Sequence, residues 1–152
     1  MKPVQEMQIS VAICERNGKI LLIQRKDLKN KQWDKRWEFP GGKIEPFEKP
    51  EDTVIREVFE ETGLSVLHTT FFLLHQHDWD LEEKILRVHL HCFHCYVGQG
   101  DVILEPEKAY SSVWTTFAEV VHYEILSANK DILNYFITCN AIEHGSNSVN
   151  EL

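Results

Sequence analysis

Gly42, Glu48, Arg56, Glu57, Glu60 and Glu61 recur at fixed intervals as Gly42-x5-Glu48-x7-Arg56-Glu57-Val58-x-Glu60-Glu61-x-Gly63-Leu64, introduced by Trp37-Glu38-Phe39-Pro40-Gly41-Gly42. Carboxylates gathered this closely suit a hard cation such as Mg²⁺, which takes oxygen ligands and commonly bridges to phosphates. The chemistry this implies is hydrolysis of a phosphoanhydride. A solvated acidic helix face is the bland alternative for any such run. Against it stand the ordered Gly-Gly segment, the upstream Glu48 and the internal Arg56.

A helix is the element that could position these groups. Pro50 suits its first position, Glu51 and Asp52 complement the positive end of its dipole, and Gly63 suits the C′ stop. Val54, Ile55, Val58 and Phe59 then form an apolar stripe, and Arg56, Glu57, Glu60 and Glu61 fall on the opposite face. Glu57 and Glu61 are one turn apart with Glu60 beside them. Like charges that close repel unless a cation lies between them. The Gly41-Gly42 pair reads as a turn that lets backbone approach this helix where side chains would obstruct it.

The remaining elements read as strands, a short helix and a longer closing one. Met7 to Cys14 is an expected strand, Asn17-Gly18 a hairpin turn, and Lys19 to Arg25 the partner strand. Val66 to Trp79 and Lys84 to Val97 are long strands, followed by a short one near Val113 to Thr115. Phe117 to His122 reads as a short helix, and Ala128 to Cys139 as a longer one with Ile132, Leu133, Phe136 and Ile137 inward. The result is one α+β domain over residues 1–142, with 143–152 a polar, disordered tail.

The 152 residues suffice for one domain, and 43% hydrophobic with 26% charged residues is ordinary for a soluble protein. No segment resembles a signal region or membrane span, so the expected compartment is the cytoplasm. A formal net charge of −8 argues against tracking long nucleic acid, but not against a small nucleotide. The expected assembly is a monomer or homodimer.

Cys92 and Cys95 form a C-x-x-C within a strand, where residues three apart point to opposite faces and the thiols cannot share an ion. Together with Cys14 and Cys139 they read as small reduced thiols. His75-x-His77 and His89-x-His91 each lie on one strand face, as a polar surface or the lining of a groove.

The segment from Gly42 to Leu64 resembles the Nudix box at every specified position, and its entry from Trp37 to Glu45 resembles the MutT-type (8-oxo-dGTP diphosphatase-like) branch. The resemblance implies a Nudix-type α/β/α sandwich with a mixed β-sheet, and metal coordination by Glu57, Glu60 and Glu61. It further implies a carbonyl ligand at Gly41, a nearby role for Glu48, and Arg56 holding the glutamates. Glu57 is the first choice for general base. Arg25 and Lys26 stand where relatives carry cations for phosphate. A late-loop acid is expected near Lys108, for which Glu107 is favoured over Glu105. Asn129 stands where an asparagine faces a purine, with helix capping as its alternative role, and Phe39 or Trp79 could stack on the base.

The implied activity is Mg²⁺-dependent cleavage, with Mn²⁺ as a possible substitute, of a nucleoside triphosphate to monophosphate and pyrophosphate. An oxidised purine such as 8-oxo-dGTP leads. Alternatives are a dNTP or CTP, a dinucleoside polyphosphate, or an RNA 5′ triphosphate end. A non-catalytic nucleotide-binding regulator and a His/Cys metal-binding protein are the readings from other classes. Phe47 departs from the glycine common in relatives, so a differently shaped loop is expected between Glu45 and Glu48.

Overall fold

A computed structural model describes residues 1–150 of the protein, with 141–150 described as backbone alone. In chain order the elements are β1 (Val4–Arg16), β2 (Lys19–Arg25), β3 (Trp37–Glu38), β4 (Gly41–Lys43), α1 (Pro50–Thr62), β5 (Val66–Asp80), β6 (Ile85–Val97) and β7 (Ala109–Thr115), then a 3₁₀ turn (Val120–His122) and α2 (Ser127–Asn150). Asn17 (φ 53°) and Gly18 (φ 75°) take the left-handed conformations that a tight hairpin turn requires between β1 and β2.

The seven strands form one sheet in the order β3-β2-β1-β6-β5, with β4 also on β1 and β7 also on β2. Only β1 and β6 run parallel, so the sheet is mixed. Alternation along β1 separates two cores. Val11 and Ile13 face Ile132, Leu133 and Phe136 of α2, while Ala12 and Cys14 face Val54 and Val58 of α1. This is the expected α/β/α sandwich, a helix on each side of the sheet.

One irregularity positions the site. β1 pairs with β2 only at Glu15↔Ile20 and Arg16↔Lys19, then exchanges it for β4 at Val11↔Gly41 and Ser10↔Gly42. β2 meanwhile takes β3, at Ile23↔Glu38. Trp37 to Lys43 therefore crosses the opening between β1 and β2. Trp37 N–H donates to Glu124 C=O, and Leu126 N–H donates to Trp37 C=O, which brings the start of α2 alongside.

Three expectations need correction. The Gly41-Gly42 turn is a strand, and neither glycine takes a positive φ. Gly41 is needed for close approach, since a Cβ there would sit against the Ser10 carbonyl. α1 buries Thr53, Val54, Val58 and Thr62 rather than the stripe that included Ile55 and Phe59, which are exposed. Its acidic face is accordingly not opposite the core: at 100° per residue Glu61 lies about 20° of arc from Val54. Phe47 stands at φ 66°, in the left-handed region that glycine adopts without cost. Finally, α2 runs past its expected end at Cys139, to Asn150. Gly145 within it costs about 1 kcal/mol relative to alanine, which weakens a helix without stopping it. Residues 151–152 lie outside the described residues.

Candidate active site

Arg56 organises the carboxylates. Its Nε and Nη2 donate to the two oxygens of Glu48 at 2.8 and 2.9 Å, and Nη1 donates to Glu57 at 2.8 Å and Glu60 at 3.1 Å. The remaining Nη2–H reaches the Lys43 carbonyl at 3.3 Å. A guanidinium has five N–H donors, and all are committed. Arg56 therefore ties Glu48, Glu57 and Glu60 together with no donor left over. Glu48 also accepts from the Thr53 hydroxyl at 2.7 Å and from Glu45 N–H at 3.1 Å. Held chiefly by Arg56 and then by Thr53, its carboxyl is lowered to a pKa of about 2. It stays an anion, and Arg56 stays a cation with its pKa raised by Glu48.

The acids nearer the sheet behave oppositely. Burial raises Glu61 well above the ordinary carboxylate value, the charge of Glu38 raises it further, and one bond from Gly41 N–H at 3.2 Å only partly offsets this. Burial likewise raises Glu57 despite its bond to Arg56. Glu38 is raised by burial against the opposing effect of Arg25. These acids are gathered in a poorly solvated place and lack enough positive charge to stay ionised easily. Glu57, Glu60 and Glu61 offer only hard oxygen donors, with lone pairs beyond those that Arg56 and Gly41 occupy. That donor set fits Mg²⁺ or Mn²⁺. Gly42 keeps this packing possible, since a Cβ there would overlap the Glu57 carboxylate.

Beside the acids lies a cavity of about 390 Å³, within the range of small-molecule sites. Its lining includes Gly41 and Gly42, the acids Glu61, Glu38 and Glu105, and the cations Arg25, Lys26 and Lys108. Apolar walls come from Ile9, Val11, Val88 and Leu90, and aromatic ones from Trp33, Phe39 and Trp79. Asn129 also faces it. Two buried polar atoms lining this space have no hydrogen bond, Trp33 Nε1 and Glu105 Oε1. The nearest cation to that Glu105 oxygen is Lys108 Nζ at 3.6 Å. Buried groups of this kind are normally satisfied, so unpaired ones mark where a ligand would complete them.

The structure brings together most of the residues singled out from sequence. Glu48, Arg56, Glu57 and Glu60 share one network, with Glu61 and the Gly41 backbone adjoining it. Arg25 and Lys26 reach the cavity with different freedom. Arg25 is tied to Asp27 at 2.8 Å and Glu38 at 3.3 Å, over the Trp33 ring, whereas Lys26 rests only on the Tyr110 ring. Asn129 is not a cap. Its Oδ1 accepts Phe39 N–H at 2.9 Å, leaving the amide NH₂ and one oxygen lone pair. Phe39 is buried at the cavity wall.

Glu107 is not brought to the site. It is exposed and absent from the lining, where Glu105 stands instead. Lys108 N–H and Ala109 N–H both bond to the Glu105 carbonyl, forming a turn that carries Glu107 outward. Trp33, Glu38 and Lys108 were missed as site residues. Glu38 carried a signal, an acid set between apolar Trp37 and Phe39 just before the box. Trp33 lay in a polar loop and carried none.

A model of the NUDIX domain matches residues 5–136. The chain is 31% identical over 135 residues to the CTP pyrophosphohydrolase of Escherichia coli, covering 89% of this chain and 94% of that protein. It is 39% identical over 67 residues to the 8-oxo-dGTP diphosphatase of Proteus vulgaris, covering 44% of this chain and 58% of that one. Among solved structures, the MutT protein of Methanosarcina mazei superposes with a TM-score of 0.72 at 25% identity, over 91% of this chain and 96% of that one. The box, the sandwich and these matches agree: the chain belongs to the Nudix hydrolase family, whose members use divalent metal and act on nucleotides. It is a Nudix pyrophosphohydrolase with relatives of differing substrate. Among the described residues no helix is long and apolar enough to cross a membrane.

Proposed function

We propose that the protein hydrolyses a nucleoside triphosphate to the monophosphate and pyrophosphate, with Mg²⁺ as its metal and Mn²⁺ as a substitute. Glu57, Glu60 and Glu61 would hold the metal, with the Gly41 carbonyl and Glu105 as further oxygen ligands. When bound, the metal supplies charge neutralisation at the phosphate oxygens and a lowered pKa for the attacking water. The carrying observation is one cavity lined both by desolvated acids, Glu61 and Glu38, and by Asn129, whose amide NH₂ makes no hydrogen bond.

Water adds to one phosphorus, its proton passes to a carboxylate, and the P–O bond to the departing phosphate group breaks. Glu57 is the proposed acceptor of that proton, because burial raises its pKa toward the working range of a general base. Lys26 and Lys108 supply charge to the phosphate chain, and Arg25 shares its charge between the substrate and Glu38. The reading includes a cytoplasmic location, where nucleoside triphosphates and Mg²⁺ occur together.

Two bases have specific support. Phe39 and Asn129, which meet in the cavity, are 90 residues apart in the chain. The 135-residue match with the CTP pyrophosphohydrolase has room for the pair. That relative makes cytosine the first reading, with O2 and N3 accepting from the Asn129 NH₂ and the Trp33 N–H. An oxidised purine is the second reading. It is supported by the acceptor that Asn129 retains, since oxidation at C8 turns N7 into a donor.

The deciding experiment measures kcat/KM with Mg²⁺ for CTP, dCTP, dGTP and 8-oxo-dGTP, resolving pyrophosphate from phosphate, with Glu57→Gln as control. A cytosine preference with pyrophosphate release supports the first reading, and preference for 8-oxo-dGTP over dGTP supports the second. Release of phosphate alone, or turnover indifferent to Glu57→Gln, overturns both.

A further inference from the structure

On the α2 side of the sheet, away from the box helix, β5 turns His75 and His77 toward Asp131 of α2. His75 Nε2 lies 3.4 Å and His77 Nδ1 3.9 Å from the same oxygen, Asp131 Oδ2. One nitrogen from each ring and one carboxylate oxygen all lie within 4.8 Å of one another. His75 Nε2 is buried and makes no hydrogen bond, although the carboxylate is in front of it. Two rings thus converge on one oxygen that neither bonds. The remaining ring nitrogen of His77, Nε2, lies 3.4 Å from the Ser127 hydroxyl, a contact that fixes the ring's orientation.

We propose that His75, His77 and Asp131 form a binding site for one divalent transition-metal ion of the zinc class, separate from the carboxylate centre. Two imidazoles and a carboxylate are borderline donors, suited to Zn²⁺, Co²⁺ or Ni²⁺ and poorly suited to Mg²⁺. Ligand atoms about 2.0–2.1 Å from a tetrahedral ion stand roughly 3.3 Å apart. The His75–Asp131 separation of 3.4 Å already meets that spacing, the His77–Asp131 one of 3.9 Å exceeds it by about half an ångström, and the two ring nitrogens, within 4.8 Å of each other, must also draw together. Water would complete the fourth position, since Asp131 keeps one side of the cluster open to solvent. Burial lowers the pKa of His77, which favours the neutral ring that binds metal. The three residues lie outside the lining of the nucleotide cavity, but Trp79 packs edge-on against His77 at 4.5 Å and forms part of the cavity wall. An ordinary ion pair between Asp131 and protonated histidines is the competing explanation.

Titration of the whole protein with Co²⁺, in excess Mg²⁺ to occupy the carboxylates, separates the two. The expected result is one equivalent of Co²⁺ with the intense visible absorption of four- or five-coordination, displaced by Zn²⁺. His75→Gln and His77→Gln should each weaken binding at least tenfold, and Glu57→Gln should leave it unchanged. Zn²⁺ added to the wild type should shift the ring ¹⁵N resonances of His75 and His77, a readout that needs no variant to fold. Absence of the absorption, its survival in both histidine variants, its loss in Glu57→Gln, or unmoved ring resonances each overturns the proposal.

Discussion

At Arg56 every donor is committed to Glu48, Glu57, Glu60 or the Lys43 carbonyl, so the reactive charge rests on the glutamates themselves. Glu57→Gln keeps an acceptor for Arg56 but removes the anion. Loss of a positioned general base typically costs about 10²–10⁴ in rate. That is the fall expected in kcat, while the melting temperature in EDTA stays level or rises, because burial disfavours the charged form. Steady-state kinetics beside thermal melts check both, and kcat within threefold of wild type would remove Glu57 from the reaction. Phe47 is the contrasting residue. It is fully exposed yet held at φ 66°. A left-handed conformation costs a non-glycine residue about 1–2 kcal/mol, and glycine gives back roughly 0.5–1 kcal/mol in entropy. Phe47→Gly should therefore raise stability by about 0.5–1 kcal/mol in urea melts with kcat unchanged.

Among the elements, α1 was legible in its bounds but not in its rotation. Pro50 and Gly63 mark its ends, and Gly63 takes the left-handed cap at φ 75°. Its rotation depends on what lies beneath. The small, wholly buried Thr53 and Thr62 extend the contact around Val54 and Val58, turning Glu57 and Glu61 toward the sheet and leaving Phe59 in solvent. Hydropathy ranks threonine below phenylalanine and so pointed to the wrong stripe. β4 was illegible for a related reason, since three residues with two glycines carry no apolar pattern. The two glycines serve different neighbours, and alanine substitutions should separate them. At Gly41 the new methyl meets the Ser10 carbonyl, which cannot move without breaking the β1–β4 pairing. Gly41→Ala should cost about 2 kcal/mol or more, in the range of overpacked cores. At Gly42 the nearest atoms the methyl meets are those at the end of the Glu57 side chain. Gly42→Ala should lose little stability, about 1 kcal/mol or less, but at least tenfold in kcat. Urea melts and kinetics on the pair test this, and equal stability losses would refute the distinction.

Across the whole molecule, the box announced the metal chemistry because its residues lie within two turns of one helix and the loop before it, where spacing specifies geometry. The cavity was less legible. Trp33, Glu105 and Asn129 come from distant parts of the chain to line one cavity, a long-range meeting that no local period encodes. Its consequence is an assembly that concentrates acid where water is scarce, which links stability to pH. Glu61, Glu57 and Glu38 are raised above their ordinary value of 4.5. A carboxyl raised on folding contributes stability that is complete below that value and lost as pH rises through the folded pKa. Glu48, lowered to about 2, acts in the opposite sense, and its contribution is lost only as pH falls from 4.5 through 2. The lowered His77 and His91 also oppose, losing stability as pH falls below 6.5. Comparing wild type with Glu61→Gln by calorimetry in EDTA cancels these shared groups. The variant should gain on the wild type as pH rises from about 4.5 toward neutrality and beyond. Mg²⁺ should reverse the order at neutral pH, raising the melting temperature of the wild type more than that of Glu61→Gln. The bound cation supplies the countercharge that the fold withholds, and binding to the native state alone stabilises it. A stability difference between the two proteins that does not vary with pH would mean that Glu61 is ionised as freely inside the fold as in water.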